Sequence, residues 1–193
     1  MAAVNSTMLD LGTKAPAFTL EDVTTGNTIT PETAKGEHGL AVIFICNHCP
    51  YVKLLKNALV EYANEAIGKG VGVVAINSND VKNYPEDDPE KMKQDASQFS
   101  YPFPYLFDET QEAAKAYKAA CTPDIYLFDA DLKLYYRGQF DDARPGNGIA
   151  ATGEDLREAT DLLVNGKPAP EEQIPSIGCN IKWKQGNEPD YFG

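Results

Sequence analysis

Basic residues are scarce in this chain. Seventeen lysines and arginines stand against 29 aspartates and glutamates, a formal charge of -12, and such a surplus repels phosphate backbones and anionic lipid. Neither nucleic acid nor a membrane is therefore expected as a partner. No stretch approaches the ~20 apolar residues that a bilayer span needs, and Met1 to Lys14 lacks a basic stretch followed by an apolar run, so export by the usual signal is not expected either. Cysteine is sparse as well. Four cysteines in 193 residues (Cys46, Cys49, Cys121, Cys179) are too few for a disulfide-stapled secreted scaffold, and a chain of this length buries a core without staples. The expected location is cytoplasmic, and in a reducing compartment such cysteines more often serve catalysis or metal binding.

What is present is a run of alternating elements. Pro16 to Leu20 and Thr28 to Thr30 flank Thr25-Gly26-Asn27, which reads as an N-terminal hairpin. Gly39 to Ile45 ends in an unbroken apolar run, the pattern of a parallel strand covered on both faces. After Pro50, apolar Val52, Leu55, Leu59, Tyr62 and Ala66 recur at helical spacing as far as Gly68 and Gly70. Val71 to Ile76 is a second buried strand, closed by the polar loop Asn77 to Asp80. A right-handed crossover then sets the Cys46–Cys49 loop and the Asn77–Asp80 loop on one sheet edge, where α/β proteins bind ligands.

Further along, Asp88 as N-cap and Pro89 at the first helical position open a helix to about Phe99, and the acidic run Glu86 to Glu90 reads as helix-start chemistry. A short helix is expected over Thr110 to Ala120, then two antiparallel strands, Ile125 to Phe128 and Leu132 to Gln139, and a last helix over Gly153 to Val164. Residues 1–165 form one domain on this reading, and 166–193 a C-terminal tail without clear periodicity.

Chemistry concentrates in Cys46-Asn47-His48-Cys49-Pro50. Two thiols three apart at a strand-to-helix turn can pair, share a metal or alternate as nucleophile. A helix N-terminus offers unpaired N–H groups and the positive end of the helix dipole, and both favour a thiolate at Cys49. Pro50 gives up an amide that would be unpaired anyway, leaving those of Val52 and Lys53 to point at the sulfur. His48 is a candidate auxiliary donor, while His38 reads as surface loop. Cys121-Thr122-Pro123-Asp124 precedes an apolar strand, a place where proline closes a loop and is often cis.

Together these motifs resemble the thioredoxin-like superfamily, and more closely its redoxin branch, the alkyl hydroperoxide reductase and thiol-specific antioxidant proteins. The resemblance runs from Lys14-Ala15-Pro16-Ala17-Phe18 to Thr122-Pro123-Asp124-Ile125. A peroxiredoxin-like group is similar at Cys46 to Lys53, at Tyr84-Pro85-Glu86-Asp87 and at Ile177-Gly178-Cys179-Asn180-Ile181-Lys182-Trp183-Lys184. It implies an α/β fold with a central mixed sheet flanked by helices, no cofactor, and a cis Pro123 facing the thiol. The catalytic set it implies is Cys49, Cys46, Thr122 and Pro123. Two departures stand beside the match. Val52 occupies the position of a thioredoxin's second cysteine, and counting back from Cys49 along the peroxiredoxin pattern Pro-x-x-x-Thr/Ser-x-x-Cys gives Cys46 and Val42 instead of Thr and Pro.

The expected activity is thiol–disulfide exchange, with peroxide reduction as a peroxiredoxin-like extension. Cys49 would attack, and Cys46, Cys121 or Cys179 would resolve. The partners would be a disulfide-containing protein or a small thiol or peroxide, together with a thiol reductant. Two other readings stay open: a zinc or copper module built on Cys46, His48, Cys49 and Cys179, and an interaction protein of the same fold that has lost turnover.

Overall fold

The computed structural model describes residues 3–192. In chain order its elements are β1 (Ala3–Asn5), β2 (Leu20–Asp22), β3 (Thr28–Ile29), α1 (Pro31–Ala34), β4 (Gly39–Phe44), α2 (Pro50–Gly68), β5 (Val71–Asn77), a 3-10 turn (Pro85–Asp87), α3 (Pro89–Phe99), β6 (Tyr105–Phe107), α4 (Glu112–Ala116), β7 (Cys121–Thr122), β8 (Asp124–Asp129), β9 (Leu134–Tyr136), α5 (Glu154–Val164) and β10 (Ile177–Asn180). The main sheet runs β3-β2-β6-β5-β4-β8-β9, and β1-β10-β7 form a small second sheet. In the main sheet β4, β5 and β6 are parallel, while β8 and β9 close one side antiparallel. The class is α/β, with a mixed central sheet flanked by helices.

The centre of this sheet follows from the apolar run. All six residues of β4 are buried because both faces are covered, as a strand of continuous apolar residues requires. Ala41 and Ile43 face one layer with Val52, Leu59 and Tyr62 of α2, Met92 of α3 and Leu156 of α5. Leu40, Val42 and Phe44 face the other, with Phe18, Ala113 and Ala114 of α4, Tyr117 and Trp183. The parallel pairing of Phe44 with Ile76 brings the ends of β4 and β5 to one edge.

Several elements differ in extent from the sequence expectation, each for a local reason. The hairpin starts at Leu20 and not at Pro16, because Asp22 organises its turn: the carboxylate accepts from the Thr24 amide and from the Thr24 and Thr25 hydroxyls. Helix α4 is shorter than Thr110–Ala120. Gln111 adopts a left-handed conformation before it and Lys118 after it, and the Gln111 side chain donates its Nε2 to the Ser78 and Lys182 carbonyls. The stretch beyond 166, which shows no periodicity, nonetheless supplies β10, and Ile181 and Trp183 after it are buried.

Candidate active site

Cys49 is the N-cap of α2 with extended backbone, and Pro50 follows at the first helical position. The Cys49 side chain makes no capping hydrogen bond to the first turn of α2, although the nearby Val52 amide helps lower its thiol. Contrary to expectation, the Lys53 amide closes the first helical turn onto the Cys49 carbonyl, 2.9 Å. The immediate surroundings of the sulfur are therefore supplied largely by side chains and by the proline loop.

Those side chains come from three places. The Thr122–Pro123 peptide is cis and lies against Cys49, whose Sγ in its protonated form donates to the Thr122 carbonyl at 3.1 Å. Cys46, at the end of β4, sits beside Cys49, and its Sγ lies 3.5 Å from Thr122 Oγ1. Cys179 arrives on β10, whose register pairs it with Thr122. Gly178 permits this approach. A Cβ there would lie 2.0 Å from the Thr122 carbonyl oxygen, so any side chain would push β10 off the proline loop.

The balance of these contacts sets the charge. The Cys49 thiol is held well below its ordinary range by hydrogen bonds from Cys46 first, then Cys179, Thr122 and the Val52 amide, which together outweigh burial. Cys46 is pushed up by the same bond to Cys49, by burial and by the Asp87 carboxylate. Burial and Cys49 likewise push Cys179 up to about 12. These directions favour Cys49 as the sulfur that ionises first, with Cys46 and Cys179 the thiols that stay protonated.

Asp87 was not among the sequence candidates; the acidic run that contains it reads as helix-start chemistry. Asp88 does cap α3, accepting from the Lys91 amide, but Asp87 turns inward and is fully buried. It accepts from the Asn47 amide at 2.9 Å, from the His48 amide at 3.3 Å and from Asn79 Nδ2 at 2.8 Å, and pairs with His48 Nδ1 at 2.6 Å. The His48 ring stacks on Tyr84 with centroids 5.5 Å apart, and Nδ1 lies 3.9 Å from Cys46 Sγ. The Asn77–Asp80 loop thus acts as a scaffold for this carboxylate. The sequence signal that pointed here was Tyr84-Pro85-Glu86-Asp87, carried by the family resemblance alone.

Other candidates fall outside the cluster. Cys121 Sγ donates to the Pro123 carbonyl, 3.3 Å. His38 packs near Gly70 at the opposite end of β4 and β5. Cys46, His48 and Asp87 bring donor atoms within 4.8 Å of one another, but His48 Nδ1 and Asp87 Oδ2 are bonded to each other, and Cys49 and Cys179 do not join the group, so the four-ligand set of the metal reading is not assembled. All four cysteines are free and buried. Cys49 has 0% of its surface exposed, so its sulfur faces the helix amides but is covered.

The profile of the AhpC/TSA family matches residues 11–137. No curated protein matches the chain. Among solved structures, an uncharacterized conserved protein from Geobacillus kaustophilus is 58% identical, with 95% of this chain and 97% of that one covered and a TM-score of 0.93. A hypothetical protein from Sinorhizobium meliloti 1021 is 49% identical over 94% of this chain and 99% of that one, TM-score 0.92. The thioredoxin domain of a thiol-disulfide oxidoreductase from Bacteroides vulgatus shares the fold at 21% identity, covering 81% and 99%, TM-score 0.63. No helix among the described residues is long and apolar enough to cross a membrane.

Proposed function

We propose, from the premise that this chain belongs to the AhpC/TSA family and has a thioredoxin-like fold, that it is a thiol–disulfide oxidoreductase in which Cys49 attacks and Cys46 resolves. The observation that carries the reading is the placing of Cys49 at the N-cap of α2 against the cis Thr122–Pro123 peptide, with Cys46 and Cys179 gathered beside it, surroundings that lower its thiol. The Cys49 thiolate attacks one sulfur of a substrate disulfide; the S–S bond breaks, a mixed disulfide forms on Cys49 and the other half leaves as a thiolate. Cys46 then loses its proton and attacks Cys49 Sγ, releasing the second half and leaving a Cys46–Cys49 disulfide. An external thiol reductant returns both to thiols.

Disulfides are preferred to peroxides as substrates because the residue three before Cys49 is Cys46, a second thiol suited to resolving, and not the hydroxyl residue of the peroxiredoxin pattern. With Cys49 fully covered, a substrate reaches it after local opening of β10, which lies beside α2 and carries Cys179. The partner is accordingly a disulfide-bearing protein or small molecule, and the acidic surface disfavours nucleic acid.

Turnover of a small aryl disulfide with a dithiol reductant tests the reading. Wild type turns over and Cys49→Ser does not; exposed to the disulfide before any reductant is added, Cys46→Ser stops at a mixed disulfide on residue 49 detectable by mass spectrometry. Retained turnover in Cys49→Ser would refute the assignment, and a trapped Cys49–Cys179 bond would transfer the resolving role to β10.

A further inference from the structure

Resolution by Cys46, on which this inference rests, poses a proton problem. Cys46 has 1% of its surface exposed, and its thiol is held protonated by Cys49, by burial and by Asp87. Once Cys49 is tied up in a mixed disulfide its charge is gone, yet burial and Asp87 still oppose a bare Cys46 thiolate. A thiol attacks only after losing its proton, and a covered thiol cannot hand that proton directly to bulk water. A nearby acceptor is required.

The groups facing Cys46 can be taken element by element. From α2 comes Cys49, the electrophile in this step. From the proline loop comes Thr122, whose hydroxyl at 3.5 Å is no base. Cys179 of β10 is itself held protonated by burial and by Cys49. From β6 comes Tyr105, kept protonated by burial with its hydroxyl donated to Asn47 Oδ1, 3.1 Å. What remains is His48 on the turn and Asp87 on the 3-10 turn. The imidazole is 3.9 Å from the sulfur and 2.6 Å from the carboxylate through the same nitrogen, Nδ1. Its other nitrogen, Nε2, is buried without a hydrogen-bond partner, so nothing draws the ring away.

We propose that His48 and Asp87 form the proton-accepting pair for Cys46, with His48 in contact with the reacting sulfur and Asp87 as the carboxylate that takes the proton His48 gives up. With a neutral imidazole the pair carries one negative charge. As the Cys46 S–H bond breaks, His48 Nδ1 takes its proton while the hydrogen that Nδ1 carried passes to Asp87 Oδ2, 2.6 Å away, so that the ring stays neutral and the carboxyl is protonated; the electron pair left on Cys46 forms the bond to Cys49 Sγ. The bond from Cys49 to the substrate sulfur breaks at the same time, and the leaving thiolate takes a proton back from the pair or from solvent. Two cysteines are oxidised and the substrate disulfide is reduced.

Stopped-flow reaction of the fully reduced, full-length protein with a symmetrical aryl disulfide separates the steps, because attack by Cys49 releases the first aryl thiolate and resolution by Cys46 the second. His48→Gln and Asp87→Asn are expected to slow the second release about 100-fold or more near neutral pH, the lower range for losing a general base. In both variants that release should rise with pH toward hydroxide control, Asp87→Glu should recover part of the rate, and the first release should change far less. Equal second-phase rates in wild type and His48→Gln, with the same pH profile, would overturn the proposal; so would equal slowing of both phases in folded variants. His48→Gln guards against a failure of Asp87→Asn to fold, since Asp87 keeps three other donors. An absent second release in wild type, or one that persists in Cys46→Ser, would instead sink the underlying assignment of Cys46 and the proton pair with it.

Discussion

Substituting Gly178 by alanine tests whether β10 is the cover of the reactive thiol. A Cβ at that position would sit 2.0 Å from the Thr122 carbonyl oxygen, 2.6 Å from its carbon and 3.1 Å from Pro123 N, where ordinary contact begins at 3.4 Å. The obstacle is backbone held in the β7 ladder and cannot rotate aside, so β10 must retreat by more than about 1 Å, enough to break its bonds to β7. Overpacking of this kind costs about 1–3 kcal/mol. If thiol access runs through undocking of β10, the strain is relieved in the open state, and at a tenfold effect per ~1.4 kcal/mol Cys49 should alkylate about 5- to 150-fold faster than in wild type. Urea unfolding measures the first quantity, and iodoacetamide labelling read by mass spectrometry the second. An unchanged midpoint together with an unchanged labelling rate would refute the claim that β10 presses on the proline loop and shields Cys49.

Other outcomes follow from the same structure. Asp124 is fully buried and burial raises its carboxyl to about 6; because the folded value exceeds the unfolded one, its favourable contribution is complete below the unfolded value and is lost as pH rises through about 6. Asp124→Asn should therefore gain about 2 kcal/mol on wild type in urea unfolding between about pH 4 and about pH 7, and a pH-independent difference would contradict this. Cys121→Ala should retain disulfide turnover within about twofold, since its thiol points to the Pro123 carbonyl and is outside the reacting cluster; a stalled mixed disulfide in that variant would show otherwise. Phe44→Ala removes a ring with no exposed surface that packs on Tyr117 and Tyr126 and should cost about 3–5 kcal/mol in the same unfolding assay.

The parts of the fold that could be read from the sequence are those whose cause is local. Asp88-Pro89 marks the start of α3 because capping and a preset proline dihedral act within one turn. The apolar run of β4 identifies a doubly covered strand because each face must be buried somewhere. Cys49 and Pro50 together give the helix start and so the thiol's place in it. Where the cause is distant, the sequence is silent. Strand β10 is four residues long, too short for a period, and exists because Cys179 and Asn180 pair with Thr122 and Cys121 far back in the chain. Asp87 is indistinguishable from its acidic neighbours until the fold sets it against His48. The Lys53 amide was misassigned because the first helical hydrogen bond competes for it, while the donors that do reach the sulfur, Cys46, Thr122 and Cys179, come from other elements. The sequence also gives no sign that the thiol is covered, since burial of one atom depends on every element around it.

The central claim concerns one sulfur, held as thiolate by donors converging from α2, the proline loop, the end of β4 and β10. Alkylation of the reduced protein across a pH series, with the modified cysteine located by mass spectrometry, tests it most directly. The account predicts that Cys49 is modified first, with the midpoint of its rate profile below the ~8.5 of free cysteine. Prior modification of Cys46, Cys121 or Cys179, or a Cys49 midpoint at or above the free value, would contradict it.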